Sequence, residues 1–122
     1  MYLEDEIMTL RRTIERYPNY NFSYIPHRDE RQEKLDTINK LGYQIKKLGK
    51  PAEIFFDETD VMPEFVFSYY STTLYTCYIR FCNLHIISIN VERLILKKNS
   101  KVSAREIYQY YNDLGIDTLE LN

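Results

Sequence analysis

Apolar residues near the amino terminus recur as Leu3, Ile7, Leu10, Ile14 and Tyr17, at steps of four, three, four and three, which is one stripe of an amphipathic helix. Pro18 ends it. Glu4, Asp5 and Glu6 open this segment and Arg11, Arg12 and Arg16 close it, so the charges complement the helix dipole at both ends. Pro18 to Pro26 mixes turn formers with three aromatics and is expected to lie against the core. A second helix is predicted from near Arg28 to Leu48, with Leu35, Ile38, Leu41, Ile45 and Leu48 on one face and Gly49 and Pro51 closing it. Both stripes are narrow. They suit a helical hairpin or pairing with a second copy, so a homodimer through the amino-terminal helices is one expected partner mode.

Beyond Leu48 the pattern changes. Ala52 to Asp57 reads as a short strand, and Phe65, Phe67 and Tyr69 then alternate with Val66, Ser68 and Tyr70. Tyr75, Cys77, Ile79 and Phe81 continue the alternation, as do Ile87, Ile89 and Val91, which predicts three antiparallel strands with turns near Ser71 to Thr73 and near Asn83. Residues 91–98 fit either a strand or a short helix. Ser103 followed by Glu106 forms a capping box, and Val102 with Ile107 forms its hydrophobic staple, so a third helix is predicted from there to Leu114, stopped by Gly115. Ile116 to Leu121 suits an edge strand. The fold class expected is α+β, one domain over residues 1–122: two amino-terminal helices, an antiparallel sheet of three to five strands, and a carboxyl-terminal helix packed on one face.

Composition narrows the classes without naming one. At 122 residues, 44% hydrophobic and 28% charged, the chain matches an ordinary globular domain that needs neither metal nor disulfide. A net charge of −2 argues against a surface given over to nucleic acid. The acidic start is unlike a secretion signal, and the charge-free run from Phe65 to Tyr78 is shorter than the ~18 residues of a membrane span. A cytoplasmic location, in a cell or an infected host cell, with reduced thiols and no membrane association, is therefore expected. Richness in Phe, Tyr, Met, Ile, Asn and Lys, whose codons are AT-rich, suits an AT-rich genome, that of a low-GC bacterium, its phages and mobile elements, or some viruses, and a phage or mobile-element origin is the one expected.

Candidate chemistry is sparse. Cys77, Cys82 and His85, with His27, invite a zinc reading, but positions 77 and 82 leave a strand on opposite faces, so no metal site and no disulfide is expected. Glu53, Asp57, Glu58, Asp60 and Glu64 form an acidic cluster, yet no Lys or Arg occurs between Lys50 and Arg80 to serve nuclease-type metal chemistry. Its three glycines form no phosphate loop or nucleophile elbow, and His27 and His85 are read as structural. No cofactor is expected, and an enzyme ranks third.

Tyrosine is the most abundant aromatic, with 12 in the chain. Tyr69, Tyr70, Tyr75 and Tyr78 beside Arg80 have the ingredients for base stacking but few cations, whereas tyrosine is at home in protein interfaces. The function expected is a non-enzymatic binding protein, an accessory or inhibitor that docks on another protein through Tyr70, Tyr78, Tyr110, Asp57, Glu58 and Asp60. The alternative is a nucleic-acid-binding regulator using Lys97, Lys98, Lys101 and Arg105, in a helix-turn-helix-like pair if residues 91–98 are helical.

Overall fold

A computed structural model describes every residue except Arg28, Cys82, Asn83 and Asn122, and every side chain of the others except that of Thr72. The chain divides into two compact units, Met1–Gly49 and Lys50–Asn122.

In the first unit, helix α1 spans Leu3–Arg16, strand β1 Phe22–Tyr24, helix α2 Gln32–Leu41 and strand β2 Tyr43–Ile45. The α1 stripe forms as its spacing predicts: Leu10 is buried, with Ile7 and Ile14 packed around it, Ile38 and Tyr43. Thr9 and Thr13 are buried on the same helix because each hydroxyl donates back to the carbonyl four residues earlier, Asp5 at 2.8 Å and Thr9 at 2.9 Å. Helix α2 is shorter than the predicted 28–48, whose start at Arg28 falls outside the described residues. It stops at Gly42, whose φ of 120° favours glycine, and whose N–H bonds Asn39 O at 3.0 Å. Tyr43 to Ile45 then pairs in parallel with Phe22 to Tyr24. Ile45 belongs equally to a helical stripe after Leu41 and to a strand alternation after Tyr43. The Tyr43 phenol decides between them: it is buried, and its hydroxyl donates to Leu10 O at 2.8 Å.

In the second unit, helix α3 is Ala52–Glu58, strand β3 Phe65–Ser68, helix α4 Thr72–Arg80, strand β4 His85–Ile89, a 3₁₀ turn Glu92–Leu94, helix α5 Lys98–Leu114 and strand β5 Asp117–Leu119. The strand order is β3-β4-β5, and both pairings are parallel. This overturns the antiparallel sheet of three to five strands: the described strands form a two-stranded and a three-stranded sheet, each wholly parallel. The expected strand at Ala52 to Asp57 is α3, and the expected middle strand is α4.

A parallel pair cannot be closed by a tight turn, and its crossover is usually a helix. The segment between β3 and β4 is that crossover. Its alternation of Tyr75, Cys77 and Ile79 is overridden by a helical stripe, in which Leu74, Cys77, Tyr78 and Phe81 join the core with Phe56, Leu84, Ile86, Tyr111 and Ile116 while Ile79 is 61% exposed. Strand β4 carries the mark of a central parallel strand: Ile86, Ile87, Ser88 and Ile89 are all buried, so both faces are covered.

Helix α5 begins at Lys98 with Lys97 as its N-cap residue, which places Ser103 inside the helix rather than at its cap. The buried stripe reaches back past the capping box, since Ala104 is fully buried one turn ahead of Tyr108. Ser103 is exposed and caps nothing. Ser103→Ala is therefore expected to raise stability by about 0.4 kcal/mol through helix propensity, where a lost cap would lower it by about 1 kcal/mol. Urea denaturation distinguishes the two signs. Of residues 91–98, Glu92–Leu94 form the short 3₁₀ turn and Lys98 already opens α5, so no helix-turn-helix pair forms. The last strand, Asp117–Leu119, lies at the edge of the sheet as the sequence suggests.

Candidate functional site

Because β3, β4 and β5 run in parallel, their carboxyl ends share one edge, at which β3 hands on to α4 and β4 to the segment leading into α5. At the end of β3 the hydroxyls of Ser68 and Ser71 lie 3.2 Å apart. Ser71 caps α4, its Oγ accepting from Leu74 N at 3.4 Å, and its own carbonyl is held by the Tyr111 hydroxyl at 2.8 Å. Ser88, fully buried on β4, donates its hydroxyl to Tyr69 O. This ties the chain leaving β3 to the neighbouring strand. No acidic residue occupies the first turn of α4, so the partial positive charge of the helix terminus is uncompensated there.

The end of β4 is equally ordered. Tyr108, buried on α5, donates to Ile89 O at 2.7 Å and accepts from Val91 N at 3.1 Å, and its ring meets Tyr70 edge-on at 5.7 Å. Asn90 donates to Glu120 Oε1 at 3.0 Å and accepts from Glu92 N at 3.0 Å. Glu92 pairs with Arg105, and Arg93 donates to Leu121 O. Ten residues separate the start of α5 from Tyr108, so about 15 Å of helix precedes the level at which α5 meets the end of β4. Those first turns carry Lys97, Lys98 and Lys101, and no acidic residue.

Cations at a helix amino terminus oppose the dipole. The sequence pattern, with its helix start at Ser103, leaves these lysines ahead of the helix rather than in its first turns. Their placement became visible only when the helix start moved from Ser103 to Lys98. Ser68 and Ser71 were missed for a related reason: the segment around them was read as a hairpin turn, and their spacing acquires meaning only at a strand-to-helix junction.

The other expected site residues are dispersed. Tyr70 is half-buried against the core, and the Tyr78 hydroxyl donates to Leu114 O at 2.8 Å. Tyr110 is 45% exposed with its ring 6.0 Å from that of Tyr75. Asp57 pairs with Arg80 and Glu58 with Lys50, while Asp60 is exposed. His85 is exposed, stacked on Phe65 and joined to Asp117 at the amino-terminal ends of the strands.

Cys77 sits on α4 rather than on a strand, so the parity argument made for it does not apply; Cys82 lies outside the described residues. Burial, followed by the nearby Glu53 carboxylate, pushes the Cys77 thiol up to about 11 from an ordinary 9.0. Such a thiol is a core residue and a poor nucleophile. Among the described residues no group of three or more His, Cys, Asp or Glu is placed to hold a metal ion, and no helix is long and apolar enough to cross a membrane. Comparison of the chain with protein-family models, curated proteins and solved structures finds no match.

Proposed function

We propose that the Lys50–Asn122 unit is a binding module for a small phosphate-bearing ligand, held at the carboxyl edge of its parallel sheet. One observation carries this reading: Lys97, Lys98 and Lys101 cluster at the amino-terminal turns of α5, where cations oppose the helix dipole and no acidic residue offsets them. A charge arrangement that works against local stability needs another reason to be there. The amide groups of the first turn of α4 and the hydroxyls of Ser68 and Ser71 supply donors at the end of β3, while the carboxylates past β4 and β5, Glu92 and Glu120, are held by Arg105 and Asn90. The donors at the end of β3 give the ligand its location, and the lysines give it its negative charge. It assigns no catalytic step. A cytoplasmic setting belongs to the same proposal, supported by Cys77 as a free buried thiol.

Calorimetric titration with inorganic phosphate, pyrophosphate and a nucleoside diphosphate tests it. Saturable binding that weakens as salt rises is expected, and no heat or shift at millimolar ligand would end the proposal. Two variants separate binding from folding. Ser71→Asp keeps a good cap but sets a carboxylate in the site, so it should keep the melting midpoint and abolish binding. Lys98→Glu should raise stability by about 0.5 kcal/mol while weakening binding.

Docking on another protein is the second reading. It is favoured by exposed apolar side chains, among them Val61 at 80%, next to Asp60 in the chain, and Tyr110 on α5. Within it, Tyr78, Asp57 and Glu58 must leave intramolecular partners before they can contribute. Phosphate binding abolished by Ser71→Asp selects the first reading; an unchanged phosphate-blind protein that captures a partner lost on Tyr110→Ala selects the second.

A further inference from the structure

Helix α1 buries one face and leaves another apolar and open. Leu3, Ile7 and Met8 line a groove of about 350 Å³ with Glu4 at one end and Arg11 at the other. Leu3 is 55% and Met8 40% exposed, and among the described residues neither Glu4 nor Arg11 has an ion-pair partner. Glu4 and Arg11 are seven residues apart, two helical turns on one face.

We infer that this groove is covered by the same groove of a second copy of the chain, packed antiparallel. A two-fold axis passing between Ile7 and Met8 relates position 4 of one helix to position 11 of the other, so Glu4 meets Arg11 of the partner subunit twice. The same operation sets Ile7 of each copy against Met8 of the other, and lays Leu3 along the aliphatic stem of Arg12 of the partner subunit. This is the self-complementarity that an isologous interface requires, with residue i facing j and j facing i. A parallel arrangement places Glu4 beside its own copy and Arg11 beside its own copy, and is disfavoured by charge. The contact is one helix against one helix, at the small end of specific interfaces, so the dimer is weak and concentration-dependent.

Sedimentation equilibrium over a wide concentration range tests this, with circular dichroism of each variant alongside. Reversible monomer–dimer behaviour is expected. Glu4→Arg alone and Arg11→Glu alone should each weaken dimerisation about tenfold, because both symmetric contacts become repulsive. An equimolar mixture of the two single variants should recover it, since each contact between unlike chains is again attractive. Met8→Lys, at the axis, should abolish it with helicity retained. A chain that stays monomeric throughout, a dimer indifferent to the swaps, or variants that associate no better mixed than apart would each overturn the inference.

Discussion

Leu74→Ala is expected to cost about 3 kcal/mol, and Ile79→Ala, five residues later, close to nothing. Leu74 is 1% exposed and packs in the cluster of Phe56, Cys77, Leu84, Ile86, Tyr111 and Ile116, where a deleted isobutyl group leaves a cavity with little freedom to collapse. Ile79 points outward from the same helix. An edge or middle strand would reverse this contrast, because strand alternation puts Ile79 on the same face as Cys77, which is fully buried. Guanidinium denaturation followed by far-ultraviolet circular dichroism reads both variants. Equal losses, or the larger loss at Ile79, would mean that residues 72–80 are not helical.

The second large effect is expected at Tyr108→Phe, a change that keeps the ring and removes one oxygen. That oxygen serves two backbone groups, accepting from Val91 N and donating to Ile89 O, and both are left without it in a buried place. A cost of about 2 kcal/mol follows from the desolvation of unsatisfied polar groups, against about 1 kcal/mol for an average hydrogen bond. Burial raises the Tyr108 phenol above its ordinary 10.0, with the Val91 amide opposing the shift. A raised value in the folded state means that the stabilisation is complete below pH 10.0 and is lost as the pH climbs beyond it. Tyr43 is raised by burial in the same way. Alkaline unfolding should therefore begin above pH 10.0 in the wild type and be shallower, from a lower starting stability, in Tyr108→Phe. An identical pH profile in the two proteins would remove Tyr108 from the interior.

Helix α1 was legible because its stripe, its charge gradient and Pro18 agree. The edge strand at Asp117 to Leu119 was legible from its place after Gly115. Helix α4 was not, because Thr, Tyr, Cys and Ile carry strand propensity, and the tertiary requirement for a crossover outweighed it. The decisive signal was present in Ile86-Ile87-Ser88-Ile89, a run with no polar alternation to speak of. A strand apolar on both faces belongs inside a parallel sheet, and once β4 is parallel to β3 the intervening segment is a crossover, for which a helix is the usual form. The capping box at Ser103 shows the converse error. A local motif of correct spacing lost to a stripe that continued upstream through Ala104. The Lys97, Lys98 and Lys101 cluster was named from sequence, but its meaning depended on which end of a helix it occupied.

Strand order in the Lys50–Asn122 unit follows chain order, and this bears on how the unit assembles. No strand has to be threaded between two others, so during synthesis each arrives at an edge already in place. The partners are nevertheless distant, Phe65 with His85 and Ile87 with Asp117, so neither ladder can close before its crossover helix has formed. In that interval β4, the most deeply buried strand of the folded unit, stands with its outer hydrogen-bonding groups open. It remains a template for another chain's strand until residues 117–119 leave the ribosome and dock, which makes timely arrival of β5 the step that separates folding from aggregation.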